Sequence, residues 1–112
     1  MNEEIKEYLS KYPIEMINRF EELRQLILNS IDFEPEEKLW AKLPSFCHGS
    51  KFIRLIPFKD HINIEASAVI AHRDELPGFK FTPKGMLQIY STQDVPTEFL
   101  KVVFRETLQP RE

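Results

Sequence analysis

The sequence has a single cysteine, Cys47, and no long apolar or basic run. One cysteine cannot form an internal disulfide, so the composition indicates no disulfide framework of the kind found in small extracellular domains. The longest apolar runs are only a few residues, such as LIL at 26–28, and runs this short exclude a membrane span. No lysine or arginine is followed directly by another, and the formal net charge is −3, so we do not expect nucleic-acid binding.

The N-terminal segment MNEEIKEYLS carries acidic residues where a secretory signal has basic ones, and it lacks an apolar stretch. We therefore expect a cytoplasmic protein with no membrane partner. No repeat, low-complexity tract or linker interrupts the 112 residues, of which 42% are hydrophobic. A chain of this length and composition fits one domain, residues 1–112, that buries a core of its own.

Helical periodicity is clearest in residues 13–31. The apolar side chains there recur on one stripe, which consists of Met16, Phe20, Leu23, Ile27 and Ile31. This spacing predicts an amphipathic helix, and Pro13 suits its first turn. A shorter helix is expected over Glu3 to Leu9, another in 68–76, and a C-terminal one in 96–108 that opens on Pro96.

Alternation with a period of two predicts strands between these helices. In residues 38–43 we expect Leu39, Ala41 and Leu43 to face the core, and residues 61–66 alternate in the same way. We predict further strands at residues 51–58 and 86–90, and a tight turn at 59–60 that joins the strand at 51–58 to the one at 61–66.

The strand at 51–58 contains Pro57, which cannot donate a ladder hydrogen bond, so we expect it at a sheet edge or with a bulge near its end. The order of elements indicates an α+β fold of two layers. In it the N- and C-terminal helices pack on one face of an antiparallel sheet.

Two short motifs could belong to a catalytic or ligand-binding site. Cys47 and His48 are adjacent and precede Gly49-Ser50, and neighbouring residues on an extended chain point to opposite faces, so we interpret the pair as a turn and not as a catalytic or metal site.

Lys84-Gly85 is similar to part of a phosphate-binding loop, but that loop needs several glycines before a helix. Here a strand follows, and we interpret Pro83-Lys84-Gly85 as a turn.

Four stretches, taken together, resemble a known family. They are LPSF at 43–46, FIRLIPFKDHINI at 52–64, DELPGFKFTPKGMLQI at 74–89 and VPTEFL at 95–100, and the first long helix is similar as well. The combination resembles the YdhG-like family of small bacterial domains. The resemblance implies a frataxin-like fold. One branch of that family is proposed to be an intracellular iron chaperone that delivers iron for cluster and haem assembly.

The resemblance brings no catalytic residue set, so we do not expect an enzyme or an obligatory cofactor. It implies weakly bound iron, with iron and iron-accepting proteins as partners. An acidic segment could hold the metal through carboxylate oxygens, which iron accepts. Its candidate ligands are Asp32, Glu34, Glu36 and Glu37. The alternative for this segment is a solvated acidic loop and helix start.

A second candidate surface is the outer face of the sheet. Strand alternation places six candidate residues opposite the core, namely Trp40, Arg54, His61, Asn63, Gln88 and Tyr90. Tryptophan and arginine are enriched at binding hot spots, so this face predicts a small-molecule or protein-binding module. The alternative is that a loop or terminal segment covers Trp40. Iron delivery is the leading expectation, and the binding module is the second.

Overall fold

A computed structural model describes residues 1–109, so the last three residues of the expected domain, 110–112, lie outside it. The described part contains four α-helices: α1 (Glu3–Leu9), α2 (Ile14–Ser30), α3 (Ser67–His72) and α4 (Thr97–Leu108). It contains six β-strands: β1 (Glu36–Trp40), β2 (Leu43–His48), β3 (Lys51–Pro57), β4 (His61–Ala66), β5 (Lys80–Phe81) and β6 (Leu87–Tyr90). None of the helices in this range has the length and apolar character needed to cross a bilayer.

The strands form one antiparallel sheet in the order β1-β2-β3-β4-β6-β5. The first four follow one another as hairpins, and α3 and β5 lie between β4 and β6 in the chain. Side chains of α1, α2 and α4 share one buried cluster with residues from a single face of the sheet. The expected α+β fold, with the N- and C-terminal helices flanking an antiparallel sheet, is confirmed.

The inner face of the sheet is the one that packs against the helices. Phe46 pairs with Ile53, and Leu55 pairs with Ile64, and all four side chains are fully buried. The apolar stripe of α2 meets this face, where the rings of Phe20 and Phe46 lie 6.4 Å apart. This packing buries large apolar side chains of both layers, so it is the main hydrophobic stabilisation of the fold.

Asn2 connects the first helix to the edge of the sheet. Its side-chain oxygen accepts a hydrogen bond from the Ile5 backbone nitrogen at 2.9 Å and so caps α1. Its amide nitrogen donates to the Glu37 carbonyl oxygen on β1 at 2.8 Å. The cap satisfies a helix N–H that would otherwise lack a partner, so one residue both starts α1 and holds it against β1.

The predicted strand at 38–43 is wrong, because a turn divides it. Ala41 and Lys42 have φ values of 53° and 67°, and they form the two-residue hairpin turn between β1 and β2. Leu39 faces inward as expected, whereas Ala41 is exposed in the turn. Leu43 pairs with Trp40 and therefore shares its outer face. Left-handed turns favour glycine or asparagine, and neither residue is present to signal this one.

Cys47 and His48 are the last residues of β2, so their interpretation as a turn is wrong. The turn is formed by the next two residues, of which Gly49 has a φ of 59°. Cys47 is buried on the outer side of the sheet, and His48 is exposed with its ring 4.1 Å from that of Phe33. The adjacent pair points to opposite faces, as extended chain requires.

Strand β3 lies inside the sheet between β2 and β4, so the expectation of an edge strand is wrong. Its register with β4 runs without a break through the pairs Ile56–Asn63 and Pro57–Ile62. Pro57 is the final residue of β3. A proline is tolerated there because, with the Ser45–Arg54 register continued, it lies opposite Lys42 of the β1–β2 turn, where no residue of β2 needs its missing N–H.

Two polar contacts attach the short helix α3 to α4. The backbone nitrogen of Ala68 donates to the Thr107 hydroxyl at 3.2 Å. His72 lies between two carboxylates, with Nδ1 2.6 Å from Glu75 and Nε2 2.8 Å from Glu106. The hydrogen bonds to Glu106 and Glu75 raise the pKa of His72 above its ordinary value. The doubly protonated ring donates to both carboxylates at once.

We predict that this contact strengthens as the pH falls. Because the folded pKa of His72 is raised, its stabilisation is complete below the unfolded pKa of about 6.5 and is lost as the pH rises through the folded value. Glu106→Gln should therefore lower the urea midpoint more at about pH 5.5 than at about pH 9. Equal losses at the two pH values would contradict the role of the protonated ring.

Candidate ligand-binding face

The outer face of the sheet is the side opposite the helices. The register places the six residues predicted for this face on it, since Lys38, Ser45 and Arg54 align in one row and Asn63 aligns with Gln88 in another. His61 aligns with Tyr90 at the end of the face. Trp40 is 45% exposed, so it is not covered by any part of residues 1–109.

Arg54 joins two aromatic rings on this face. Its guanidinium carbon lies 4.4 Å from the Trp40 ring centroid and 4.7 Å from that of Phe52. The two rings meet edge to face with centroids 5.2 Å apart. Arg54 Nη1 also donates to a Glu65 carboxylate oxygen at 3.0 Å. Stacking and the ion pair together hold the three side chains in a fixed arrangement.

Small residues lie beneath these large side chains. Ser45 is fully buried, and its hydroxyl donates to the Leu43 carbonyl oxygen at 2.9 Å. Cys47 is 8% exposed, and burial raises the pKa of its thiol. A thiol with a raised pKa is protonated at neutral pH and is a poor nucleophile.

A second aromatic group lies on the outer face beside the turn between β3 and β4. The ring of His61 stacks between Phe58 and Tyr90, with centroid separations of 4.5 and 4.7 Å. His61 Nδ1 lies 2.7 Å from an Asp60 carboxylate oxygen, and this hydrogen bond lowers the pKa of Asp60. The Lys80 ammonium lies 5.5 Å from the Tyr90 ring centroid. Both aromatic groups of the face therefore combine rings with a cation.

Asn63, in the middle of the face, has an unsatisfied acceptor. The residue is 8% exposed, and its Oδ1 has no hydrogen-bond partner within residues 1–109. Arg54 Nε, two residues from the strand position opposite Asn63, is a buried donor that also lacks a partner in that range. Buried polar atoms of this kind favour a bound water or a ligand group that completes their hydrogen bonds.

Two clefts flank Phe52, and the predicted site residues do not include most of their lining. We call the first the lysine cleft: it has a volume of about 300 Å³ and is lined by Lys51, Phe52, Glu65, Ile70, Lys84 and Met86. The second, of about 290 Å³, lies between Phe52 and Trp40 and also reaches Lys51. The outward position of Phe52 could be predicted from its alternation with buried Ile53. The position of Lys84 beside the cleft depends on the tertiary fold and could not.

Pro83 and Lys84 form the predicted turn, and it closes one side of the lysine cleft. Gly85 follows with a φ of 92°, a conformation that favours glycine. A Cβ at this position would lie 2.7 Å from Ile70 Cγ1. The glycine therefore allows the backbone to pack directly against α3.

The four predicted metal ligands are divided between the two sides of the sheet. Glu36 and Glu37 are adjacent on β1 and face opposite ways, and Asp32 and Glu34 are exposed before that strand. Within residues 1–109 no group of three or more histidine, cysteine, aspartate or glutamate side chains is gathered as a metal site. The turn at Pro35, which is buried, leads directly into β1.

Glu37 is engaged with Arg24 of α2. Arg24 Nε and Nη2 donate to the two Glu37 carboxylate oxygens at 2.7 and 3.1 Å, and Nη1 donates to Glu21 at 3.1 Å. This two-point contact raises the pKa of the Arg24 guanidinium. Glu36 instead lies 3.3 Å from the ammonium of Lys38 and is largely exposed. Glu37 is thus a structural residue between helix and sheet.

Comparisons of the chain with protein-family models, with curated proteins and with solved structures found no match. Membership of the YdhG-like family therefore stays a prediction based on the sequence motifs.

Glu36 and Glu37, which are adjacent on β1, give a matched test of the ion pair between Glu37 and Arg24. Glu37→Gln should lower the free energy of unfolding by about 1–3 kcal/mol, because it removes the two-point ion pair of the partly buried Arg24 and leaves Glu21 as its charged partner. Glu36→Gln should change it by less than about 0.5 kcal/mol, since its ion pair is exposed. Urea denaturation of both variants measures the difference, and equal stabilities would contradict the assignment of Glu37.

Proposed function

We propose that this domain is a binding module whose outer sheet face holds a small molecule or a protein segment. The observation that carries the proposal is the exposure of aromatic side chains on the sheet face opposite the helices. Trp40 and Phe58 are 45% and 41% exposed, the first at the end of β1 and the second directly after β3. Aromatic side chains bury large areas with little loss of conformational freedom, and they supply much of the energy of binding sites.

The charges near this face favour an anionic partner. On the outer face and in the turns that join its neighbouring strands, the cationic residues are Lys38, Lys42, Arg54, Lys59, Lys80 and Lys84, whereas the acidic ones are Glu36, Asp60 and Glu65. Each of these three acidic side chains lies within 3.3 Å of a cationic or imidazole group. A local excess of positive charge on a protein of net charge −3 attracts and orients anions.

We predict that Trp40 carries a large share of the binding energy. It is the sole tryptophan, so its fluorescence reports on this face alone. A screen of common metabolites by NMR and fluorescence should find compounds that perturb it. Trp40→Ala should weaken their binding by about 2 kcal/mol, close to thirtyfold.

Ile14→Ala is the matched control, because Ile14 is 62% exposed at the start of α2 on the other side of the molecule. Its affinities should equal those of the parent protein. A screen whose binders all perturb the helical side and leave Trp40 unchanged would contradict the proposed function.

Iron binding and delivery is the second candidate, and the exposure of Asp32, Glu34 and Glu36 in one short segment favours it. Carboxylate oxygens are suitable ligands for iron, and an exposed set would release the metal readily. Glu37 is left out of this candidate site because its carboxylate is held by Arg24.

For this candidate we predict carboxylate-dependent binding of iron(II) under anaerobic conditions. The triple variant Asp32→Asn, Glu34→Gln, Glu36→Gln should lose about tenfold in affinity by calorimetry, about 1.4 kcal/mol. A variant with Glu4, Glu7 and Glu15 changed to glutamine removes the same charge from exposed helical positions and should bind as the parent does. No heat of binding at millimolar iron would contradict iron delivery.

A further inference from the structure

We propose that the lysine cleft is a binding site for a small organic anion with a short apolar body. The inference rests on the proposed function and names the ligand class for one end of the outer face. The cleft is bounded by the start of β3, the end of β4, α3 and the loop at 82–86. Walls contributed by four separate parts of the chain give it a defined shape in three dimensions.

Lys84 brings positive charge to the cleft from the loop before β6. Lys51 lines the cleft at the start of β3, but it pairs with His48 and so directs its side chain toward the opposite side of the sheet. The lysine ion pairs within residues 1–109 use Lys6, Lys38 and Lys101, so the charge of Lys84 is uncompensated there. An ammonium group beside a cavity attracts a carboxylate or phosphate and repels a cation.

Among residues 1–109, Glu65 is the acidic residue that lines the cleft, and its charge is already compensated. Its carboxylate accepts a hydrogen bond from Arg54 at 3.0 Å, and both side chains are mostly buried. Arg54 in turn contacts both the Trp40 and the Phe52 rings. The ion pair therefore leaves Lys84 to set the sign of the electrostatic potential in the cleft.

The loop that carries Lys84 is held rigidly. Thr82 accepts the Gly85 backbone N–H at 2.9 Å and donates its own N–H to the Met86 carbonyl oxygen at 2.8 Å. Its hydroxyl accepts the Met86 backbone N–H at 3.0 Å. With Gly85 packed against Ile70, the loop cannot shift freely. A site formed before the ligand arrives costs less conformational entropy on binding.

The remaining wall is largely apolar, with Ser50 and Ser67 as its polar residues. Ile70 is 52% exposed, and Phe52 and Met86 are half-buried beside it. An isoleucine side chain open to water gains free energy when an apolar group covers it. The volume of about 300 Å³ is at the small end of ligand sites, so it suits an anionic group joined to a single ring or a short alkyl chain.

The test uses phenyl phosphate and benzoate as anionic probes, with benzyl alcohol and benzylamine as the neutral and cationic counterparts. In NMR titrations of the full chain, both anions should shift the signals of Phe52, Ile70 and Met86. The neutral probe should bind about tenfold more weakly than the anions. Lys84→Met retains the apolar stem and should weaken anion binding by about tenfold.

Lys101→Met, on α4 and outside the cleft, is the charge-matched control and should bind the anions as the parent protein does. Urea denaturation confirms that each variant is folded. Equal affinities for phenyl phosphate and benzyl alcohol, or an unchanged affinity in Lys84→Met, would overturn the anion site. Shifts confined to Phe58, His61 and Tyr90 would also overturn it while leaving the proposed function intact. Silence of every probe across the outer face would overturn the anion site and count against the proposed function.

Discussion

The packing of α2 against the inner face of the sheet determines the rest of the structure. Phe20 meets Phe46 across this contact, and the side chains of α1 and α4 complete the same buried cluster. Because strand residues alternate, the choice of inner face also assigns every remaining strand residue to the outer one. The candidate binding surface is therefore a direct consequence of how the core is built.

Periodic elements of the fold could be predicted from the sequence, since their side-chain patterns are local. The bounds of α1, the stripe of α2 and the alternation of β4 are cases of this kind. The division of residues 38–43 was missed because Ala41 and Lys42 adopt left-handed conformations without glycine or asparagine. The tertiary hairpin geometry overrides their ordinary preference. Strand β5 has two residues, which is too short for a period to show.

The same distinction between local patterns and tertiary contacts applies to the candidate site. Alternation was enough to place Trp40, His61 and Tyr90 on one face, because facing is a local property of a strand. The ion pair of Glu37 with Arg24 depends on where α2 crosses β1, and no spacing in the sequence encodes that crossing. The lysine cleft likewise depends on the approach of the Lys84 loop to α3. Local sequence patterns do not predict such contacts between distant segments.

On the outer face, rigidity and exposure occur together. Arg54 is held by two rings and a carboxylate, and the stacked rings of Phe58, His61 and Tyr90 support one another. Such side chains lose little further freedom when a partner covers them, so more of the contact energy appears as affinity. The same interactions keep these large side chains in place when no partner is bound.

The hydrogen bond from Asn2 to the Glu37 carbonyl has a consequence for the behaviour of the protein at high concentration. β1 is an edge strand, and its outward backbone groups are a template on which a second chain can add a strand. Asn2 occupies one of these acceptors, and α1 lies alongside the strand. The opposite edge, β5, is only two residues long. Both borders of the sheet are thus poor sites for strand addition, which protects the folded protein against aggregation through its edges.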